Sequence, residues 1–85
     1  MIIIYGTRSC AFCDKAKAYA RKWYGEFKFF DVGITQYNNF LLEKNVSTNI
    51  LPQIFEDDRY VGTYYEFVKE TQIKISEISE EAGTN

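Results

Sequence analysis

Ile2, Ile3, Ile4 and Tyr5 form an unbroken, largely β-branched apolar run that stops at Gly6-Thr7. A run this short and continuous predicts a strand covered on both faces, the central strand of a sheet that carries helices. From Ser9 or Cys10 the period changes. Phe12, Ala16, Tyr19, Ala20 and Trp23 recur three and four apart, with Lys15, Lys17, Arg21 and Lys22 outside that face, so a helix follows and stops near Gly25. Phe27, Phe29, Phe30 and Val32, interrupted by Lys28 and Asp31, predict a second strand. Thr35 is placed to cap a second helix, whose apolar positions are Tyr37, Phe40, Leu41 and Val46.

After the polar loop Asn45 to Asn49 comes Ile50-Leu51-Pro52-Gln53-Ile54-Phe55. Pro52 has no N–H for a ladder and belongs at the start or edge of that strand. Glu56-Asp57-Asp58-Arg59 predicts a hairpin turn into Tyr60-Val61-Gly62, and Tyr64, Phe67, Val68, Thr71 and Ile75 predict a last helix, fraying over Ser79 to Asn85. The order is β-α-β-α-β-β-α. A right-handed β-α-β start makes the first two strands parallel, and the short turn makes the last two antiparallel. The expected fold is α/β: a small four-stranded mixed sheet with three helices packed on it.

Composition narrows what such a fold can do. Eighty-five residues hold one core, and 46% hydrophobic residues, with seven Tyr, seven Phe and one Trp, supply large side chains for a small interior. There is no histidine, which removes Ser-His and Cys-His nucleophile pairs and the common zinc sites. The longest apolar run, Met1 to Tyr5, is far short of a membrane span, and no basic-then-apolar opening marks a secretory signal, so a cytoplasmic protein is expected. Charge is uneven. Ser76 to Asn85 carries Glu77, Glu80, Glu81 and no cation, whereas Arg8, Lys15, Lys17, Arg21 and Lys22 are opposed locally only by Asp14. That basic excess is too small for a duplex nucleic-acid stripe.

The chemistry lies in Cys10-Ala11-Phe12-Cys13, where the first strand gives way to the first helix. Two cysteines one helical turn apart can close a disulfide with little distortion. The first-turn amides have no helical partners, and with the helix dipole they favour an anion at Cys10. Arg8 and Lys15 add positive charge nearby. A thiolate is therefore expected at Cys10, the attacking sulfur, and Cys13, one turn inside, is the resolving thiol with the higher pKa. Two sulfurs without a histidine cannot complete a tetrahedral zinc shell, so no metal is expected. A loop this short also constrains the unfolded chain too little for a purely structural disulfide.

Three separated motifs resemble the glutaredoxin family, of the small bacterial and phage type: Tyr5-Gly6 leading to Cys10-Ala11-Phe12-Cys13; Leu51-Pro52-Gln53-Ile54-Phe55; and Gly62-Thr63-Tyr64-Tyr65-Glu66-Phe67. The last, following a short hairpin, favours glutaredoxin over thioredoxin. The resemblance runs from Ile2 to about Ile75, and so implies a thioredoxin-like domain over 1–75 with a frayed acidic tail over 76–85. It implies a glutathione-dependent dithiol–disulfide oxidoreductase that reduces protein disulfides and glutathione mixed disulfides. Glutathione is then a co-substrate, no cofactor is tightly bound, and Cys10 forms the mixed disulfide. The bond before Pro52 is implied to be cis, with the Leu51 backbone pairing with the peptide part of glutathione. Tyr64, Tyr65 and Glu66 are implied at its γ-glutamyl end, Arg8 near its glycine carboxylate, and Phe12 among its other contacts. Disulfide-bearing proteins, ribonucleotide reductase among them, are the implied partners of a monomer, with electron transport and cell redox homeostasis as its setting.

Two departures stand out. Ala11 and Phe12 replace the Pro and Tyr that the family often has between its cysteines, and Thr63 replaces the second of paired glycines, where its branched side chain narrows the groove. Alternatives to this glutathione-dependent oxidoreductase are a thioredoxin-like donor recharged by a flavin reductase and an iron–sulfur carrier bridged by two chains and two glutathiones.

Overall fold

A computed structural model describes residues 1–83 of the chain, with side chains described for residues 1–77. Strands β1 (Ile2–Gly6), β2 (Phe27–Asp31), β3 (Gln53–Glu56) and β4 (Arg59–Gly62) alternate with helices α1 (Ala11–Tyr24), α2 (Thr35–Glu43) and α3 (Tyr64–Gly83) in the predicted order. The sheet runs β2-β1-β3-β4. β1 pairs parallel with β2, placing Gly6 opposite Asp31, and antiparallel with β3, while β3 and β4 form an antiparallel hairpin.

The central position of β1 explains its unbroken apolar sequence. Successive side chains point to opposite faces, and both faces are covered. Ile2 and Ile4 join Ala16, Ala20, Ile54 and Phe67 beneath α1 and α3, whereas Tyr5 joins Val32, Leu41, Val46 and Phe55 on the α2 side. Ile4 is 0% exposed. Ile4→Ala is expected to lower stability by about 2–5 kcal/mol, the usual range when a buried aliphatic is truncated and its neighbours cannot close the gap, as a shift in urea midpoint at unchanged slope.

Three local expectations need correction. The buried stripe of α1 is Cys13, Ala16 and Ala20, while Phe12 and Trp23 are 39% and 43% exposed. Small residues let α1 lie close to the sheet and α3, which pushes the large rings to the rim. Second, α2 begins at Thr35 with Ile34 at the cap position and no side-chain cap bond. The turn before it is held instead by Asp31, whose carboxylate accepts from the Gly33 N–H at 2.8 Å. Third, Val46 lies beyond α2. Asn45 takes a left-handed φ of 59°, its N–H reaches the Leu42 carbonyl at 3.0 Å, and the Val46 N–H reaches the Leu41 carbonyl at 2.9 Å. This is a Schellman ending, with Val46 packed back on Leu41.

Helix α3 is described through Gly83, past the boundary drawn at residues 75 and 76, and Thr84 and Asn85 lie outside the described residues. Its buried Thr71 meets the Tyr24 hydroxyl at 2.8 Å, which ties α3 to the end of α1. Among the described residues, no helix is long and apolar enough to cross a membrane.

Candidate active site

Cys10 is the N-cap of α1, with extended backbone angles of −119° and 113°. Its Sγ accepts the Cys13 N–H at 3.2 Å, the bond that a capping serine would make. The unsatisfied first-turn amide therefore does converge on this sulfur. Cys10 is partly exposed, and Cys13, one turn in, is fully buried; both are free thiols. Burial first, then the hydrogen bond with Cys10, pushes the Cys13 thiol up to about 12, against the opposing pull of the Thr7 backbone N–H and the Lys17 charge. Two neighbouring sulfurs thus sit in unlike environments.

A second segment meets the first at Cys10. The Leu51–Pro52 peptide is cis, and the Leu51 carbonyl accepts from the Cys10 thiol at 3.9 Å. This loop is anchored by Gln53, which is almost wholly buried. The Gln53 side-chain amide donates to the carbonyls of Ser47 and Ile50 at 3.1 and 2.8 Å, and its oxygen accepts from the Tyr60 hydroxyl at 2.6 Å. Every polar atom of that buried amide has a partner, so the loop position is specified rather than merely allowed.

From there a groove of about 190 Å³ runs between the two segments and α3, lined by Phe12, Ile50, Leu51, Pro52, Thr63, Tyr64 and Tyr65. The Phe12 ring lies 5.7 Å from that of Tyr64 and 5.8 Å from that of Tyr65, and the Lys15 ammonium sits 4.9 Å from its centroid. At the far end Thr63 precedes α3 and donates its hydroxyl to Glu66 at 2.6 Å. The Thr63 hydroxyl, followed by the backbone N–H groups of Glu66 and Thr63, holds the Glu66 carboxyl below the usual range. Thr63-Tyr64-Tyr65-Glu66 has the spacing of a capping box, and here the two side chains bond to each other at the start of α3. Gly62 has a φ of 130°, and a Cβ there would stand 2.8 Å from that of Glu66, so the turn into α3 has room only for glycine.

Of the site residues predicted from sequence, Phe12, Leu51, Pro52, Tyr64 and Tyr65 line this groove beside Cys10 and Cys13. Glu66 stands at its end, bonded to the Thr63 hydroxyl, and Arg8 is exposed in the turn before α1, outside the lining. Ile50, Thr63 and the Gln53 anchor complete the arrangement. Among the described residues, no group of three or more cysteines or carboxylates could hold a metal ion. What the geometry can do is exchange electrons with a disulfide that reaches Cys10 along an apolar, aromatic groove.

The model of the glutaredoxin family matches residues 2–61. The chain belongs to the glutaredoxin family. Reduced Escherichia coli glutaredoxin superposes with a TM-score of 0.72 at 24% identity, over 88% of this chain and 96% of that one, and shows the shared fold. Glutaredoxin 1 from Francisella tularensis, solved with cacodylate, superposes with a TM-score of 0.66 at 28% identity, over 89% of this chain and 95% of that one. No curated protein matches the chain in sequence. As a glutaredoxin-family protein it is a thiol–disulfide oxidoreductase, and the adjacent pair Cys10 and Cys13 is where that chemistry fits.

Proposed function

We propose that glutathione is the reductant of this oxidoreductase, with Cys10 as the attacking sulfur and Cys13 as the resolving one. The observation that carries this reading is an adjacency. Leu51, whose carbonyl meets the Cys10 thiol, also lines the aromatic groove that ends at the start of α3. A tripeptide thiol joined to Cys10 would lie along Leu51, with its γ-glutamyl carboxylate toward the first-turn amides of α3 and its ammonium toward the ionised Glu66.

The Cys10 thiolate attacks a substrate disulfide R–S–S–R′, forming Cys10–S–S–R and releasing R′S⁻, which takes a proton from solvent. Ionised Cys13 then attacks the Cys10 sulfur, the Cys10–Cys13 disulfide forms, and RS⁻ leaves, so the substrate has gained two electrons. One glutathione thiolate opens that disulfide at Cys10. That attack forms Cys10–S–S–glutathione and releases the Cys13 thiolate; a second glutathione thiolate then attacks the glutathione sulfur, forming oxidised glutathione and releasing the Cys10 thiolate, which restores the dithiol. The family potential of about −200 to −230 mV lies close to the extracted glutathione poise of the cytosol, the compartment we assign to the protein, so exchange can run either way. Its proposed substrates are protein disulfides, ribonucleotide reductase among them, and glutathione mixed disulfides. The unit that carries the reaction is a monomer, with every site residue within 1–75.

Titration with glutathione, followed by amide NMR shifts, tests the reading. Leu51 and the stretch Gly62 to Glu66 are expected to move, and glutathione is expected to reduce the oxidised protein unaided. An unmoved groove, with reduction only by a flavin-dependent reductase, would establish the thioredoxin-like alternative.

A further inference from the structure

We infer that Gly6 is a positioning residue for the resolving thiol: the side chain missing at the end of β1 leaves the space that Cys13 Sγ occupies. A Cβ built on Gly6 would stand 2.4 Å from Cys13 Sγ and 3.2 Å from both Cys13 Cβ and Phe29 Cε2. The first separation is far inside van der Waals contact, so even alanine must displace the sulfur or separate α1 from the sheet. Backbone conformation does not account for this glycine. The positive-φ glycines among the described residues are Gly25 and Gly62, and Gly6 is an ordinary strand residue paired with Asp31.

What surrounds that space suits a sulfur that must ionise. The Thr7 backbone N–H, next along the chain, favours the ionised Cys13 sulfur against its burial, and the Lys17 ammonium lies 3.8 Å from the centroid of the Phe29 ring. Phe29 and Cys13 border the same space, whose floor is the bare Gly6 backbone. Its line of attack on Cys10 Sγ is thereby fixed. A displacement of even an ångström from an in-line geometry is enough to slow such a step. The proposal rests on the resolving role given above to Cys13, and its test separates the two.

Gly6→Ala is made in the natural chain and in a Cys13→Ala background, which removes the sulfur and with it the 2.4 Å conflict. With Cys13 present, conversion of the Cys10–glutathione mixed disulfide to the Cys10–Cys13 disulfide is expected to slow about tenfold or more. With Cys13→Ala, reduction of that same mixed disulfide by free glutathione is expected to change by less than about twofold, because the Cys10 sulfur is untouched. Thermal melting of the four proteins supplies a readout independent of activity. Gly6→Ala is expected to lower the melting temperature far more with Cys13 present than with Cys13→Ala. If Gly6→Ala fails to fold, folding of the Gly6→Ala/Cys13→Ala protein supports the steric assignment, and its failure overturns it. Equal losses in both backgrounds, in rate or in melting temperature, also overturn it. A mixed disulfide that never converts in the natural chain, alongside the unequal melting losses, defeats the resolving role alone.

Discussion

Cys10→Ser is expected to lower the rate of disulfide reduction by about a thousandfold or more, whereas Cys13→Ser keeps reduction of a glutathione mixed disulfide within about tenfold of the natural chain. The asymmetry follows from where the two sulfurs stand. Cys10 is partly exposed at the helix cap, with the Cys13 amide at 3.2 Å and the groove beside it. Serine can make the same capping bond, so the helix keeps its start, but a hydroxyl cannot serve as the thiolate nucleophile. The loss is therefore chemical rather than structural. Cys13 is 0% exposed and cannot meet an external disulfide. It is needed only where an intramolecular attack must release a bound protein, so its variant is expected to trap a mixed disulfide with a protein substrate. The assays are glutathione-coupled turnover of a small mixed disulfide and mass spectrometry of the trapped species. Full turnover by the Cys10 variant, with Cys13→Ser inactive, would reverse the assignment.

Much of the fold was legible because burial on two faces leaves a plain record. Ile2 to Tyr5 has no polar position, and the structure gives each of its faces a helix layer. The parallel and antiparallel pairings followed from connection length alone. The misread positions are those where one residue's burial depends on another element. Phe12 and Trp23 share the helical period of Ala16 and Ala20, yet α1 packs too closely for rings at its centre. Val46 matches the α2 period by coincidence and is buried by the Schellman turn at Asn45. Spacing along one helix cannot register how closely its neighbour approaches.

The site divides in the same way. The cysteine pair, the proline and the start of α3 were visible as motifs, and the structure brings them around one groove. Two contributors, Gln53 and Gly6, carry no motif, and the pairing of Thr63 with Glu66 is only half legible, although each leaves a trace. Gln53 is a polar residue inside an apolar strand segment, a position that calls for a buried amide with several partners. Thr63 and Glu66 have capping-box spacing, the trace of the hydroxyl–carboxylate bond that closes the far end of the groove. Gly6 looked like a strand terminator, since its conflict with Cys13 depends on how α1 sits over β1.

The second large effect is one of pH, and it belongs to Cys13. Burial pushes this thiol up to about 12 from an ordinary 9.0, so the folded protein keeps it protonated where an unfolded chain would already ionise it. The associated stability is complete below about pH 9 and is lost as pH rises toward 12, at roughly 1.4 kcal/mol per pH unit. Between pH 7.5 and 10 the natural chain is expected to lose about 1.4 kcal/mol more than Cys13→Ala, measured as urea unfolding free energies on both proteins. The kinetic consequence is larger. When Cys10 is held in a mixed disulfide, its hydrogen bond and charge no longer raise the Cys13 thiol, but burial, the first cause, remains. The attacking thiolate is then a small fraction of the population near neutrality. The single-turnover rate of disulfide closure from Cys10–S–S–glutathione is therefore expected to climb by nearly tenfold per pH unit across the range from about 7 to 9. Rapid acid quench of the preformed mixed disulfide measures it directly. A rate already level by pH 7.5 would mean that Cys13 ionises freely where it lies, and that the Thr7 amide and Lys17 outweigh its burial.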